Sequence, residues 1–158
     1  MTEHKTNHCP QLSKEEWHQT KHVWNKQLFY KVHYSCFLNL PINLQKKVRA
    51  SLTMLRNRNL LDDKPMIFSA RENSWGGDLL ISIKEPAPDL ETRAISGNFI
   101  SFLFNGSYAE VPRWVEGVRK YGQQEHRNFE ELYIWHVTCP RCSKKYGTSQ
   151  TVIFAKIV

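Results

Sequence analysis

One order of predicted elements, strand–helix–strand–strand, occurs twice in this chain of 158 residues, and this duplication constrains the fold more than any other feature. The first half spans about residues 32–84. Alternating apolar and polar residues over 32–40 predict a half-buried strand. An apolar stripe at helical spacing then predicts a helix near 43–60. Short strands predicted over 66–69 and 79–84 complete the half.

The second half, about residues 98–157, repeats this order. A strongly apolar strand is predicted over 98–104, and apolar residues at helical spacing predict a helix near 109–121. Two further strands are predicted over 130–138 and 150–157. Because the halves share no obvious residue identity, the predicted repeat depends on the order of the elements.

The repeat predicts an α+β fold whose two βαββ halves form a ligand cleft between antiparallel sheets and two main helices. Clefts between packed halves are where small ligands usually bind. Residues 85–89 contain two prolines and are expected to link the halves within a single domain over 28–158. Residues 1–27 are polar, but they include Trp17 and Trp24, so we expect this N-terminal arm to pack on the domain.

Composition excludes several classes of protein. Apolar residues make up 41% of the chain and aromatic residues 12%, which is enough for a packed core. No apolar run approaches the roughly 20 residues that span a bilayer, and the polar first 16 residues predict a cytoplasmic protein without a membrane partner. The formal charge is +7, but the basic residues are scattered in small groups. This pattern favours a solvated surface and no nucleic-acid partner.

Three of the four cysteines mark a candidate metal or redox site. Cys139 and Cys142 have a spacing that lets two thiolates bind one zinc ion at a Zn–S distance of about 2.3 Å. The same spacing suits a dithiol that cycles with a disulfide, and a tight turn with two incidental cysteines is a third interpretation. As further zinc ligands we consider Cys9, His8 and His136. The fourth cysteine, on the apolar face of the first strand, is expected in the core.

A second candidate site lies on the strand predicted over 130–138. Glu131, Tyr133 and Trp135 alternate, so their side chains share one face of the strand. A carboxylate beside two aromatic rings suits a general acid or base, because burial raises the pKa of a carboxyl group toward a useful range. Trp75, in a glycine-rich turn, is expected to form a wall of the cleft. The alternative is an edge strand with a solvated glutamate and two packed rings.

Short motifs in the second half point to a known family. Residues 104–108 end a strand in Gly-x-Tyr, the next helix carries an apolar-aromatic stripe, and a later strand carries Glu-x-Tyr. These motifs resemble those of the gyrase-inhibitor-like (GyrI-like) family of small-molecule-binding domains. The resemblance implies duplicated βαββ halves around a ligand cleft. It also implies catalytic or binding roles for Glu131 and Tyr133, and ligand contacts for Phe104 and Tyr108.

Residues 8–158 as a whole resemble a stand-alone bacterial subgroup of that family, whose members are labelled hydrolases. Its motifs are matched here by Cys9-Pro10, by residues 138–142 (TCPRC) and by residues 144–147 (KKYG). The wider family includes effector-binding domains of transcription regulators, gyrase inhibitors, and hydrolases that act on cyclopropane-bearing DNA-alkylating compounds. Because nothing in this chain resembles a helix-turn-helix, a role as a transcription factor is disfavoured.

Three functions are therefore considered. The leading hypothesis is a small-molecule-binding protein that needs no cofactor and uses Glu131 as its polar anchor. In the second, Glu131 is the general acid or base of a hydrolase that acts on a strained or activated compound, and Tyr133 positions it. The third is an interaction module that binds gyrase or another protein. A zinc- or thiol-dependent site at residues 139–142 is a further alternative, with zinc in a structural role.

Overall fold

The computed structural model describes residues 9–38, 40–70 and 75–158, which form two compact units. The N-terminal unit consists of residues 24–97, and the C-terminal unit combines residues up to 23 with residues 98–158. The elements, in chain order, are α1 (Lys14–Trp17), β1 (Thr20–Phe37), β2 (Leu40–Pro41), α2 (Leu44–Asn57), β3 (Ile67–Ala70), β4 (Gly76–Ser82), β5 (Thr92–Gly106), a 3-10 turn (Tyr108–Glu110), α3 (Val111–Gln124), β6 (Phe129–His136), α4 (Pro140–Tyr146) and β7 (Ser149–Ile157). Among the described residues, no helix combines the length and the apolar character that a membrane span requires.

The N-terminal unit is built on antiparallel strands in the order β1–β4–β3. Tyr34 of β1 lies opposite Gly77 of β4, which sets the register of the pair. Helix α2 packs its apolar stripe on this sheet, and its Leu55 is fully buried in a core that includes Tyr34 and Ile81. Cys36 is only 4% exposed within the same core, so the expected buried position of the fourth cysteine is confirmed.

The C-terminal unit has the corresponding strand order, β5–β7–β6, again antiparallel. Helix α3 covers one face of these strands, where Trp114 and Val118 pack against Phe102, Ile153 and Ala155. In both units the first of the three strands of the repeat pairs with the last one, and the last strand also pairs with the middle one. The predicted α+β fold with duplicated βαββ order is therefore confirmed.

Strand β1 differs from its prediction. It begins at Thr20, well before the predicted start at residue 32, so residues 20–27 are strand and not irregular arm. Its first side chains alternate between half-buried and exposed, as the period of a strand requires. The half-buried positions are Thr20, His22 and Trp24. None of these is an aliphatic residue, and alternating aliphatic residues are the usual sign of a strand in a sequence. The prediction therefore missed this part of β1.

Residues 140–142, for which the sequence also allowed a tight turn, instead begin the short helix α4, and Cys139 is its N-cap. The Cys139 Sγ precedes the helix and accepts a hydrogen bond from the Cys142 N–H at 3.4 Å. Gly147, with φ of 79°, takes the left-handed conformation that commonly ends a helix. Proline is compatible both with the first turn of a helix and with a loop. The proline in this segment therefore did not allow the sequence to distinguish a helix from a loop.

Helix α3 continues to Gln124, beyond the predicted end at residue 121, and Gly122 lies inside it. A Cβ atom at Gly122 would come within 2.8 Å of the Phe129 ring and 3.3 Å of the Arg127 carbonyl oxygen. This glycine therefore allows the chain that enters β6 to approach the helix closely.

Substitution of this glycine provides a test of the close approach. We expect Gly122→Ala to lower the free energy of unfolding by about 1–3 kcal/mol, because the new methyl group displaces the Phe129 ring. Urea unfolding followed by circular dichroism measures the change.

The matched control is Gly117→Ala in the exposed part of the same helix, where nothing lies within 4 Å of an added Cβ. This change is expected to raise the free energy of unfolding by up to about 1 kcal/mol through helix propensity. Equal effects of the two substitutions would contradict the packing role of Gly122.

Candidate functional site

A carboxylate–phenol pair on β6 forms the centre of the candidate site. Glu131 and Tyr133 lie two residues apart, and the Tyr133 hydroxyl donates a hydrogen bond to Glu131 Oε2. Tyr133 is only 1% exposed, whereas Glu131 is half-buried. A carboxylate can accept several hydrogen bonds, and the phenol donor helps to orient this one.

A β-bulge accompanies Glu131. In the pairing of β6 with β7, Phe129 lies opposite Ile157 and Leu132 lies opposite Ala155, so β6 has one extra residue between these pairs. Phe129 and Leu132 therefore both pack against the core under α3, although they are three residues apart. Glu131 lies in the bulge itself, where the local change of strand direction re-aims its side chain.

The aromatic part of the predicted site is covered by the N-terminal arm. Trp135 is 8% exposed, and its ring centroid lies 5.5 Å from that of Trp17 in an edge-to-face arrangement. Trp17 also meets Phe154 edge-to-face at 6.2 Å. Such geometries are favourable for aromatic pairs. The sequence placed Trp17 in a packed arm, but it did not identify Trp17 as a neighbour of Trp135.

A histidine–serine pair that sequence reasoning missed lies beside this aromatic cluster. His22 Nε2 and Ser101 Oγ are 2.8 Å apart, the separation of a catalytic base and its nucleophile. Ser101 is fully buried, however, and its hydroxyl donates to the Trp17 carbonyl oxygen at 2.7 Å. The hydroxyl proton is thus already used, and no substrate reaches the oxygen. The pair holds the arm in place and does not form a nucleophile.

Two other predicted ligand residues of the C-terminal unit, Phe104 and Tyr108, contact residues other than the Glu131–Tyr133 pair. Phe104 is in the core under α3, where its ring stacks on Trp114 at 5.1 Å. The Tyr108 hydroxyl donates to the Thr138 carbonyl oxygen. Trp75 belongs to the N-terminal unit and is 64% exposed. The C-terminal unit therefore brings Glu131, Tyr133 and Trp135 onto one strand but places Phe104 on the helix-covered face.

Three cysteine sulfurs converge elsewhere in the C-terminal unit. The Sγ atoms of Cys9, Cys139 and Cys142 all lie within 4.8 Å of one another. Their backbone N–H groups donate in a cycle: Cys9 to the Cys142 sulfur at 3.2 Å, Cys142 to the Cys139 sulfur at 3.4 Å, and Cys139 to the Cys9 sulfur at 3.3 Å. The expected proximity of Cys9 to the other two cysteines is confirmed, and this group could hold a metal ion.

The three thiols are not equivalent. Burial is the largest influence on Cys9 and, together with the neighbouring thiols, raises its pKa to about 12. Burial also acts to raise the pKa of Cys139, but hydrogen bonds from the Cys142 N–H and from the Cys9 and Cys142 thiols outweigh it. The pKa of Cys139 is therefore below its usual value.

The predicted histidine ligands are not in the described three-cysteine group. His136 lies at the end of β6, with its ring centroid 5.6 Å from that of Tyr108, and is not among the residues within 4.8 Å of one another. His8 lies outside the described residues. Tyr146 of α4 donates its hydroxyl to the Cys9 carbonyl oxygen at 2.7 Å, which adds a further attachment for the arm.

Comparison with known proteins identifies the family. A family model described as bacterial hydrolase matches residues 1–157. The chain belongs to this bacterial hydrolase family. No curated protein sequence matches the chain significantly. Membership in the bacterial hydrolase family agrees with the hydrolase label that the TCPRC and KKYG motifs led us to expect.

Solved structures share the fold at very low sequence identity. The C-terminal domain of EcmrR matches with a TM-score of 0.69 and 6% identity, over 90% of this chain and 98% of that one. A hydrolase from Listeria innocua matches with a TM-score of 0.60 and 11% identity, over 92% and 97%. In an EcmrR–DNA complex, the match has a TM-score of 0.66 and 6% identity, over 87% of this chain and 56% of that one. These similarities support the α+β fold, and the fold alone.

The half-buried His22 predicts a pH dependence of stability. Burial lowers the pKa of the His22 imidazole below its ordinary value of about 6.5, so near that pH the folded state binds fewer protons than the unfolded chain. Stability is then full above the ordinary pKa and decreases as the pH falls through it toward the lower folded-state value. Urea unfolding at about pH 7.5 and pH 5.5 should show this decrease.

His22→Gln keeps an N–H donor toward Ser101 but does not titrate, so we expect a smaller decrease in this variant than in the natural protein. The control is His126→Asn, which removes an exposed imidazole and should leave the pH dependence unchanged. An identical decrease in the His22→Gln variant would show that His22 does not contribute.

Proposed function

We propose that this member of the bacterial hydrolase family binds a small, partly aromatic molecule at the Glu131 side of β6, in the manner of GyrI-like domains. Glu131 is the polar anchor, and Tyr133 holds it in position. Trp135 and the overlying Trp17 supply apolar contacts. Binding requires no cofactor, because the protein's own side chains supply both the charge and the aromatic surface.

The hydrogen bond from Tyr133 to Glu131 carries this proposal. A half-buried carboxylate loses solvation, and a buried phenol that donates to it offsets part of that cost. The bulge in β6 and the phenol together hold the carboxylate in a defined orientation beside aromatic residues. This combination suits a ligand that carries a cationic or hydrogen-bond-donating group on a ring, since charge-assisted hydrogen bonds give orientation and apolar contacts give affinity.

Hydrolysis of a strained or activated compound is the second candidate function, favoured by the family and by the same glutamate. Glu131 would accept a proton from a water molecule while the water oxygen attacks an electrophilic carbon and the strained bond breaks. The proton on Glu131 would then pass to the leaving atom, which restores the carboxylate. Tyr133 would position the carboxylate through the hydrogen bond that it donates.

We further propose that the protein acts in the cytoplasm and that its partner is neither nucleic acid nor membrane. The scattered basic residues support this, because a nucleic-acid site concentrates positive charge on one face. EcmrR has been seen in a complex with DNA, but that observation applies to EcmrR. A match at 6% identity supports a shared fold alone.

Two planar probes test the binding proposal: ethidium, which is cationic, and phenanthridine, which has the same ring system without the fixed charge. We expect Glu131→Gln to weaken ethidium binding at least about tenfold, because a charge-assisted contact of about 1.5–3 kcal/mol is lost. Phenanthridine binding should remain nearly unchanged. Changes in tryptophan fluorescence on titration measure both affinities.

Glu130→Gln is the matched control, since it removes the same charge from the adjacent exposed residue. It is expected to leave ethidium affinity unchanged, whereas Tyr133→Phe should weaken it several-fold by releasing Glu131. Equal affinity of the natural protein and the Glu131→Gln variant for ethidium would reject Glu131 as the anchor. If neither probe binds the natural protein, a planar aromatic ligand is excluded.

Styrene oxide, a strained electrophile, separates binding from hydrolysis. If the protein is a hydrolase for such compounds, it forms the corresponding diol faster than buffer does, and the Glu131→Gln variant loses that excess rate. Product formation at the buffer rate would instead favour binding without turnover.

A further inference from the structure

The three-cysteine cluster has the dimensions of a thiolate metal site. In tetrahedral zinc sites with Zn–S bonds of about 2.3 Å, neighbouring sulfurs lie roughly 3.8 Å apart. The sulfurs of Cys9, Cys139 and Cys142 all lie within 4.8 Å of one another. A contraction of about 1 Å or less therefore brings all three to coordination distance.

The hydrogen bonds within the cluster are a second and independent observation. Each of the three sulfurs accepts one hydrogen bond from a backbone N–H, and each of the three cysteines donates one. The three hydrogen bonds therefore form a closed ring. A neutral thiol is a weak acceptor, whereas a thiolate gains from every donor directed at it. Donors of this kind orient metal-bound sulfurs and offset their charge. The backbone is thus arranged to suit three thiolates.

The surroundings also match the charge of such a site. Three thiolates and one Zn²⁺ ion have a net charge of about −1. Helix α4, which follows Cys139, carries the exposed basic residues Arg141, Lys144 and Lys145. Their positive charge complements the net negative charge of such a site.

We propose that Cys9, Cys139 and Cys142 together bind one Zn²⁺ ion. Thiolates are soft ligands that select zinc over magnesium or calcium, and neither of the latter ions prefers a sulfur site. The ion joins the segment that precedes α1 to the segment that leads into α4, and its role is structural. This site goes beyond the proposed small-molecule function and does not depend on it.

A disulfide between Cys139 and Cys142 is the competing arrangement. It would use two of the sulfurs and leave Cys9 without a chemical role in the cluster. The N–H of Cys9 is directed at the Cys142 sulfur, and the Cys9 sulfur accepts the N–H of Cys139. Because Cys9 is both a donor and an acceptor of hydrogen bonds in the cluster, the geometry favours a site that needs all three thiols.

Zinc content of single-cysteine variants tests the proposal. The full chain is purified without chelator under reducing conditions, incubated with equimolar zinc, desalted and analysed by elemental analysis. We expect about one equivalent of zinc in the natural protein and less than about one tenth in Cys9→Ser, Cys139→Ser and Cys142→Ser. Serine keeps an acceptor for the backbone N–H but removes the soft ligand. Cys36→Ser, in the core of the N-terminal unit, is the matched control and should keep its zinc.

Thiol titration of the natural protein gives a readout that does not depend on whether every variant folds. In the folded, zinc-loaded protein, Cys9, Cys139 and Cys142 should react only slowly with a thiol reagent, and they should react rapidly once a strong chelator removes the ion. Cys36 is buried in the core of the N-terminal unit, so it should react only when the protein is unfolded. Zinc should also raise the melting temperature of the natural protein and not that of Cys9→Ser.

Three results would overturn the proposal. Zinc below about one tenth of an equivalent in the natural protein would reject the site. Full zinc content in Cys9→Ser would show that the C-x-x-C pair binds the ion without the arm. A count of two reactive thiols, with no zinc, under non-reducing conditions would establish the Cys139–Cys142 disulfide instead.

Discussion

The antiparallel pairing of β6 with β7 is the constraint on which the rest of the C-terminal unit depends. Its register places Tyr133 opposite Phe154 and Trp135 opposite Val152, and thereby decides which side chains share a face. A slip of one residue would exchange the aromatic face with the face that packs under α3. The bulge near Glu131 is the one place where this pairing departs from strict alternation, and it coincides with the only charged member of the candidate site.

Residues 9–23 of the arm belong to the C-terminal unit, and hydrogen bonds of side chains and backbone hold them there. Gln150 donates its amide to the Leu12 carbonyl oxygen and accepts the Leu12 N–H, both at 2.8 Å. Further along, Ser101 holds the Trp17 carbonyl oxygen, and His18 Nδ1 accepts the Leu103 N–H at 3.2 Å. These bonds satisfy backbone groups that no regular strand or helix would otherwise satisfy. Together with the short helix α1 and the first residues of β1, these bonds keep the arm ordered.

The sequence predicted the parts of this molecule that depend on local pattern. Strand and helix periodicity revealed the repeat, and alternation placed Glu131 and Tyr133 on one strand face. What it could not reveal depends on tertiary contacts. The bulge puts Phe129 and Leu132 on the same face although alternation separates them. The contact of Trp17 with β6 joins distant parts of the chain, and no local signal encodes its partner. The proximity of Cys9 to Cys139 and Cys142 was predicted correctly, because a polar segment with two tryptophans is expected to be attached to the domain.

The cysteine cycle also has a consequence for the order of folding. Cys9 lies 130 residues from Cys139 and 133 residues from Cys142 in sequence. Contacts between such distant residues must overcome the entropy of closing a long loop, so they form late relative to local strand pairs. At a synthesis rate of about 5–20 residues per second, Cys139 is synthesised roughly 7–26 s after Cys9. The arm is thus synthesised before its partners and is among the last segments to reach its place. During that interval Trp17 lacks the aromatic neighbours that pack against it in the folded unit.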